Sequence, residues 1–267
     1  GRNPSLVNPA SVSGFPFRGV TAAFQASDRS FDVDGASGDV GSARFPLLHV
    51  IYPLDEKLTF SVGYGGFLDQ SWSAFAERVE VIGADTFNVR DAIDHSGGIV
   101  RVQVGAAYAL SRSFAVGLAG GLLTGQLDRT VSRSFANDDS VSISPFRQDL
   151  TWSERAPFIS GGLRWDPARI LRVEGSVTWN GTLEGSGEGD AIDFDVDLPL
   201  QLAGGIGAVL SPRLNAVIAA RWDGGSSAGD AGFGGRRARD AWQICGGLEW
   251  GTLQCATRSF PLRLGFQ

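Results

Sequence analysis

Charged and amide side chains recur at every second residue through much of this chain, sharing a row with glycine and alanine and opposing a row of large apolar side chains. Arg101, Gln103, Arg164, Arg172, Glu174, Gln201, Arg221, Glu249 and Arg263 are such positions. The planar guanidinium of arginine donates two parallel hydrogen bonds to a carboxylate, so an arginine surplus on one enclosed surface suits capture of a carboxylate ligand. A ladder of ion pairs filling a narrow interior accounts for the same residues without any ligand. Both readings require elements that bring these positions onto one inner face.

Other chemistry has thinner support. Asp190, Asp193, Asp195 and Asp197 include three carboxylates on one face of a strand, and Asp32, Asp34 and Asp39 lie in a glycine-rich stretch. Calcium accepts several oxygen ligands in flexible geometry, but neither cluster follows a full calcium-loop pattern. A solvated acidic face is the simpler reading, and Asp193, Asp195 and Asp197 stand only as weak metal candidates. Cys245 and Cys255 are the only cysteines. A hairpin centred near Trp250 would set them nearly opposite each other, and an oxidising compartment would then permit a disulfide. His49 and His95 are distant in sequence and read as structural or loop residues. There is no nucleophile elbow, zinc-binding His-Glu-x-x-His or phosphate loop, so the expectation is a protein that is not an enzyme and needs no cofactor.

The elements that must position the charged row are β-strands. In 171–179, Leu171, Val173, Gly175, Val177 and Trp179 fall on one face, with Arg172, Glu174, Ser176 and Thr178 on the other. That is period two. The pattern recurs in 100–108, in 214–222 and in 242–250, and each run has roughly the nine to eleven residues that cross a bilayer as a tilted strand. Eleven such strands are readable.

A soluble sandwich also alternates, so the connectors decide what the apolar face meets. Residues 53–57, 110–113, 166–169, 210–213 and 251–259 are short, whereas 26–43, 68–97, 124–155, 181–197 and 223–240 are long and polar. Strict alternation of short turns and long loops is the pattern of a transmembrane barrel. Tyr52, Tyr108, Trp165 and Trp250 precede short turns, where an interfacial aromatic girdle belongs. No run of about eighteen apolar residues exists to form a spanning helix. Among 267 residues, 23 basic and 29 acidic side chains leave a net charge of −6, which argues against nucleic acid as a partner. A mean hydropathy of zero is what alternating lipid-facing and inward residues average to. The chain carries no Met and no signal peptide and reads as a mature or trimmed form. Its eleventh apolar row, Phe260, Leu262, Leu264 and Phe266, precedes the last residue directly, so further C-terminal strands are expected outside this sequence.

Several short motifs carry a resemblance: Asn8-Pro9-Ala10, the stretch from Leu198 to Gly207, Leu210-Ser211-Pro212-Arg213-Leu214, Arg221-Trp222 and the closing Pro261-Leu262-Arg263-Leu264-Gly265-Phe266. Together they resemble the FadL-type outer-membrane transporter family, whose members carry long-chain fatty acids or, in one branch, aromatic hydrocarbons, and also secretion-associated relatives of it. The resemblance implies an all-β, antiparallel up-and-down barrel with fourteen strands in the full protein. It also implies location in the bacterial outer membrane and passive uptake of hydrophobic small molecules. It assigns Asn8, Pro9 and Ala10 to a plug, so residues 1–15 read as a plug-like segment and 16–267 as barrel. Only about fifteen residues precede the first strand, fewer than a full hatch occupies. Under this reading Arg101, Arg164, Arg172, Glu174, Arg221 and Arg263 line a lumen and an arginine steers a fatty-acid carboxylate. The strand 44–52 is apolar on both faces; Phe45 and Leu47 would either line a greasy path or pack against the N-terminal segment. Membrane lipids and a hydrophobic ligand are the implied partners. A second reading makes the barrel a scaffold whose long loops engage a protein partner.

Overall fold

The computed structural model describes residues 5–33, 36–83, 85–136, 143–225, 239–255 and 258–266, with backbone alone over 24–46, 252–261 and 263. Its described residues form fourteen β-strands, with a 3-10 turn at Pro9–Val12. The strands are β1 (Gly19–Val33), β2 (Ala36–Pro53), β3 (Leu58–Asp69), β4 (Trp72–Ile82), β5 (Asp85–Ala109), β6 (Phe114–Ala136) and β7 (Phe146–Ala168). They continue with β8 (Leu171–Asn180), β9 (Thr182–Glu188), β10 (Phe194–Asp197), β11 (Gln201–Ser211), β12 (Leu214–Asp223), β13 (Ala241–Cys255) and β14 (Arg258–Phe266). None of the described residues forms a helix long and apolar enough to cross a membrane.

Eleven strands form the wall, in the order β1-β2-β3-β5-β6-β7-β8-β11-β12-β13-β14, each antiparallel to its neighbours. This is the all-β up-and-down transmembrane barrel expected from the sequence. Among the described residues, β1 and β14 are the two ends of the path, with no ladder between them. The other three strands, β4, β9 and β10, lie off this path.

Four of the five long segments expected to be loops are mostly strand, and most of the fifth, 223–240, lies outside the described residues. β5 has 25 residues and β6 and β7 have 23 each, so at about 3.4 Å per residue β5 is roughly 80 Å long. Counting about ten or eleven residues up from the short turns leaves more than half of β5 beyond the bilayer. There β4 takes over from β3 on the same edge of β5, pairing Trp72 with His95 and Ile82 with Asp85. β9 likewise continues β8 along β7, where Gly181 N donates to Pro157 O at 2.8 Å. Polar composition misled here because a strand above the membrane has water on its outer face and no need of an apolar row.

Within the bilayer stretch the two rows separate cleanly. On β5, Arg101, Gln103 and Ala107 are buried, while Val102, Val104 and Tyr108 are exposed to the surroundings. On β12 and β13 the outward rows are Leu214, Ala216, Ile218, Ala220 and Trp222, and Trp242, Ile244, Leu248 and Trp250, as their cross-strand registers require. Large apolar side chains left exposed in this number are stable only against hydrocarbon.

Replacing Val104, in the middle of the outward row, with Arg is expected to lower the stability of the folded barrel in lipid vesicles by about 2–4 kcal/mol, measured by urea titration. Val104→Leu should leave it unchanged.

Candidate functional site

The N-terminal segment lies against the inward face of the wall, and its sequence explains how. Asn8 caps the 3-10 turn, its Oδ1 accepting from Ala10 N at 3.0 Å, and Pro9 begins the turn with its φ already set. The Asn8 Nδ2 donates to Leu163 O at 3.0 Å and to Glu174 Oε2 at 3.4 Å. Arg164 Nη1 donates to Ser13 O. Asn8 through Ser13 are buried. The floor is glycine because the segment lies directly on the wall backbone: a Cβ at Gly117 would fall within 2.8 Å of Ala10 Cα, and one at Gly162 within 2.9 Å of the Pro9 ring carbon Cδ.

Beneath this segment the charged row is mutually engaged. Arg172 Nε meets Asp166 at 2.7 Å and Glu174 at 3.9 Å, and Arg164 Nε meets Asp166 at 3.3 Å. Arg164, Arg172 and Glu174 therefore form, with Asp166, an ion-pair ladder that also holds the N-terminal segment. Asp166 was not singled out from sequence because 166–169 read as a short turn, whereas β7 runs on to Ala168; its role depends on β7 and β8 being neighbours.

Arg101 and Arg221 are arranged differently. Both line a cavity of about 360 Å³ together with Ser5, Leu6, Val7, Leu47, Phe67, Ser176, Thr178, Gln201 and Ala203. Arg221 bonds Asp223 at 3.0 Å. Arg101 is 6 % exposed and has no ion pair among the described residues; its Nε and Nη2 have no hydrogen-bond partner. Its guanidinium stacks instead over Phe158, at 4.3 Å from the ring centre, and Phe67, at 5.7 Å. The cavity reaches the wall where the β2–β3 ladder stops: among the described residues Leu47–Gly65 is its last pair, and β3 runs on to Asp69. Gly65, Gly66 and Phe67 border the cavity at that point. Phe67 gave no signal in sequence because the bulge between Gly66 and Leu68 shifts the row there.

An apolar roof lies above. Ile99, Leu123, Ala156, Phe158 and Leu183 pack with Phe67 and with Phe194, Val196 and Leu198 of the β10 region. At its upper side Glu154 is 2 % exposed and accepts a 3.0 Å hydrogen bond from Gln70 Nε2, while Glu154 Oε2 and Gln70 Oε1 lack partners. Fourteen residues from the end of β7, Glu154 sits beyond the bilayer stretch, and burial raises its carboxyl above the ordinary glutamate range, the Gln70 bond opposing in part.

The remaining expectations fare unevenly. The disulfide is corrected: Cys245 is a free thiol, and both cysteines lie on β13, ten residues apart along one strand and hence roughly 33 Å from each other. The turn assumed near Trp250 is absent because β13 continues through it, Trp250 pairing Leu262. No group of metal-ligating side chains occurs among the described residues; Asp195 and Asp197 face solvent, Asp193 accepts from Gly187 N at 2.8 Å and Asp197 from Thr182 at 2.7 Å. Arg263 stands opposite Glu249 in register; its side chain and that of Phe45 lie outside the described residues.

Wall, lodged N-terminal segment and cavity define a transmembrane β-barrel with an occupied lumen. The same fold occurs in the Ralstonia pickettii toluene transporter TbuX (TM-score 0.60, 16 % identity, covering 97 % of this chain and 79 % of that one). It occurs also in the Pseudomonas putida toluene transporter TodX (0.56, 13 %, 97 % and 76 %) and in the monoaromatic hydrocarbon channel CymD (0.55, 12 %, 97 % and 76 %). These are FadL-type barrels, so the fold is the one the sequence resemblance implied. No family model matches the chain, and no curated protein matches it in sequence.

Two outcomes follow from this geometry. Gly117→Leu is expected to displace the N-terminal segment, seen as faster proteolysis of residues before Gly19 and higher single-channel conductance, with Asn8→Ala giving a milder form at about 1–3 kcal/mol. The folded protein holds the Glu154 proton more tightly than the unfolded chain does, so this stabilisation is full at acid pH and declines as pH rises through the ordinary glutamate pKa towards the raised one. The unfolding midpoint should fall across that window, and Glu154→Gln should flatten that fall.

Proposed function

We propose that this barrel is a bacterial outer-membrane channel for passive uptake of hydrophobic small molecules, such as long-chain fatty acids or hydrocarbons, without enzymatic activity. The observation that carries the reading is the cavity between the N-terminal segment and the apolar roof, with Leu6, Val7, Leu47 and Phe67 in its lining. Ligand sites of this kind are mostly apolar with few polar anchors. Its position at the end of the β2–β3 ladder gives an apolar solute a way between lumen and lipid that avoids water. The toluene and monoaromatic carriers with the same fold support the substrate class in its coarse form.

Arg101 favours a hydrophobic carboxylate within that class. A buried guanidinium with two free N–H groups and no carboxylate of its own is left under-satisfied until an anion arrives. Arg221, half-committed to Asp223, adds a second cation on the same cavity. Arg172 and Arg164 are occupied by Asp166 and are not assigned to ligand.

One observation favours the scaffold reading. Among the described residues β4 is paired on one edge only, to β5, and Trp72, Phe75, Val79 and Val81 stand exposed on it above the membrane, which is a surface an extended partner segment could extend.

Native mass spectrometry of the detergent-purified chain tests the two. Retained fatty acid or hydrocarbon that added oleate displaces is the expected result; an empty barrel carrying a stoichiometric protein would favour the scaffold. Arg101→Ala should weaken oleate at least about ten-fold while leaving a neutral alkane or toluene within about two-fold, and equal losses for both would remove the arginine from the mechanism.

A further inference from the structure

The short-turn rim carries a regular set of cations, most of them without an ion pair among the described residues. Each described short turn holds one, Lys57, Arg112, Arg169 and Arg213, and Arg18 stands where the chain enters β1. All five are exposed. The four arginines have no ion pair among the described residues. Lys57 shares its turn with Asp55 and the exposed Glu56, and the Asp55 carboxylate is turned into its own hairpin by bonds from Lys57 N and Leu58 N at 2.7 Å each. Asp166 is drawn inward by Arg164 and Arg172.

Beside every cation is a large apolar side chain facing out. Phe17, Leu54, Leu110, Ile170 and Leu210 are 58–68 % exposed, and Arg18 lies over the Tyr52 ring at 4.2 Å. At the opposite end of the strands Arg78, Arg90, Arg133 and Arg147 each meet a carboxylate, at 3.2, 3.8, 2.6 and 2.9 Å, while Arg129 and Arg155 have no ion pair among the described residues. The chain as a whole is acidic, so a cationic rim does not follow from its bulk composition.

We infer that this rim is a docking collar for anionic phospholipid headgroups of the leaflet it meets. The aliphatic partner of each cation reaches the acyl boundary while the cation sits at phosphate level, the arrangement in which long basic side chains are stable at an interface. Charge complementarity and continuity with the Tyr52, Tyr108, Trp165 and Trp250 girdle select lipid over free phosphate, which has no use for the apolar half. Each cation near an anionic surface contributes roughly five-fold in binding, so five act together. This rests on the membrane reading above and adds a lipid preference to it.

The test reconstitutes the full chain in nanodiscs of equimolar phosphatidylcholine and phosphatidylglycerol and counts retained lipids by native mass spectrometry. The wild type should retain phosphatidylglycerol about ten-fold or more over phosphatidylcholine, less so in high salt. The variant R18Q/K57Q/R112Q/R169Q/R213Q should bring the two near parity, whereas R90Q/R147Q at the far rim should keep the preference. Equal retention by the wild type, an unchanged preference in the five-fold variant, displacement by inorganic phosphate, or an acidic protein held at the rim in place of lipid would each overturn the inference. A chain that inserts but shows no preference overturns this inference alone; one that fails to insert overturns the membrane reading as well.

Discussion

Inside a bilayer no water is available to the backbone, so every N–H and C=O of a spanning strand must bond a neighbouring strand. That requirement makes the wall a continuous antiparallel path of eleven strands and fixes two rows per strand. The outward row must be apolar and the inward row must fill whatever lumen the curvature leaves. Small inward residues are therefore a packing necessity where another segment enters, and Gly117 and Gly162 lie where Pro9 and Ala10 press against the wall.

The same constraint explains how charge is distributed inside. A carboxylate or guanidinium facing the lumen loses most of its water and must find partners. Asp166 satisfies two arginines at once, and the free edges of that ladder hold the N-terminal segment through Asn8 and Ser13. Arg101 is the exception, stabilised only by two aromatic faces. A local failure of polar satisfaction beside a cavity is where a functional site is expected, and the proposal for a carboxylate rests on that contrast between Arg101 and Arg172.

Above the bilayer the constraint relaxes. Water can satisfy an edge, so β4 pairs β5 alone among the described residues, and the chain can break and resume, as it does between β3 and β4 and between β8 and β9. The apolar roof depends on that freedom, because β10, paired to β9 off the wall path, brings Phe194 and Val196, with Leu198 after them, against residues of β5, β6 and β7.

Sequence by itself determined the strand rows, their inward and outward assignment in the bilayer stretch, four of the five short turns and the aromatic girdle, because a period-two pattern against hydrocarbon is a local property of each strand. Tertiary structure decided the rest. Which arginine is paired depends on which strands are neighbours, and this separates Arg172 from Arg101 although their rows look alike. The cysteines were misplaced because nothing local marks where β13 ends once its outer face meets water, and a strand that runs on through Trp250 to Cys255 carries both positions on one strand. The cavity, its roof and the end of the β2–β3 ladder arise from contacts between residues far apart in the chain, so no run of neighbours could reveal them.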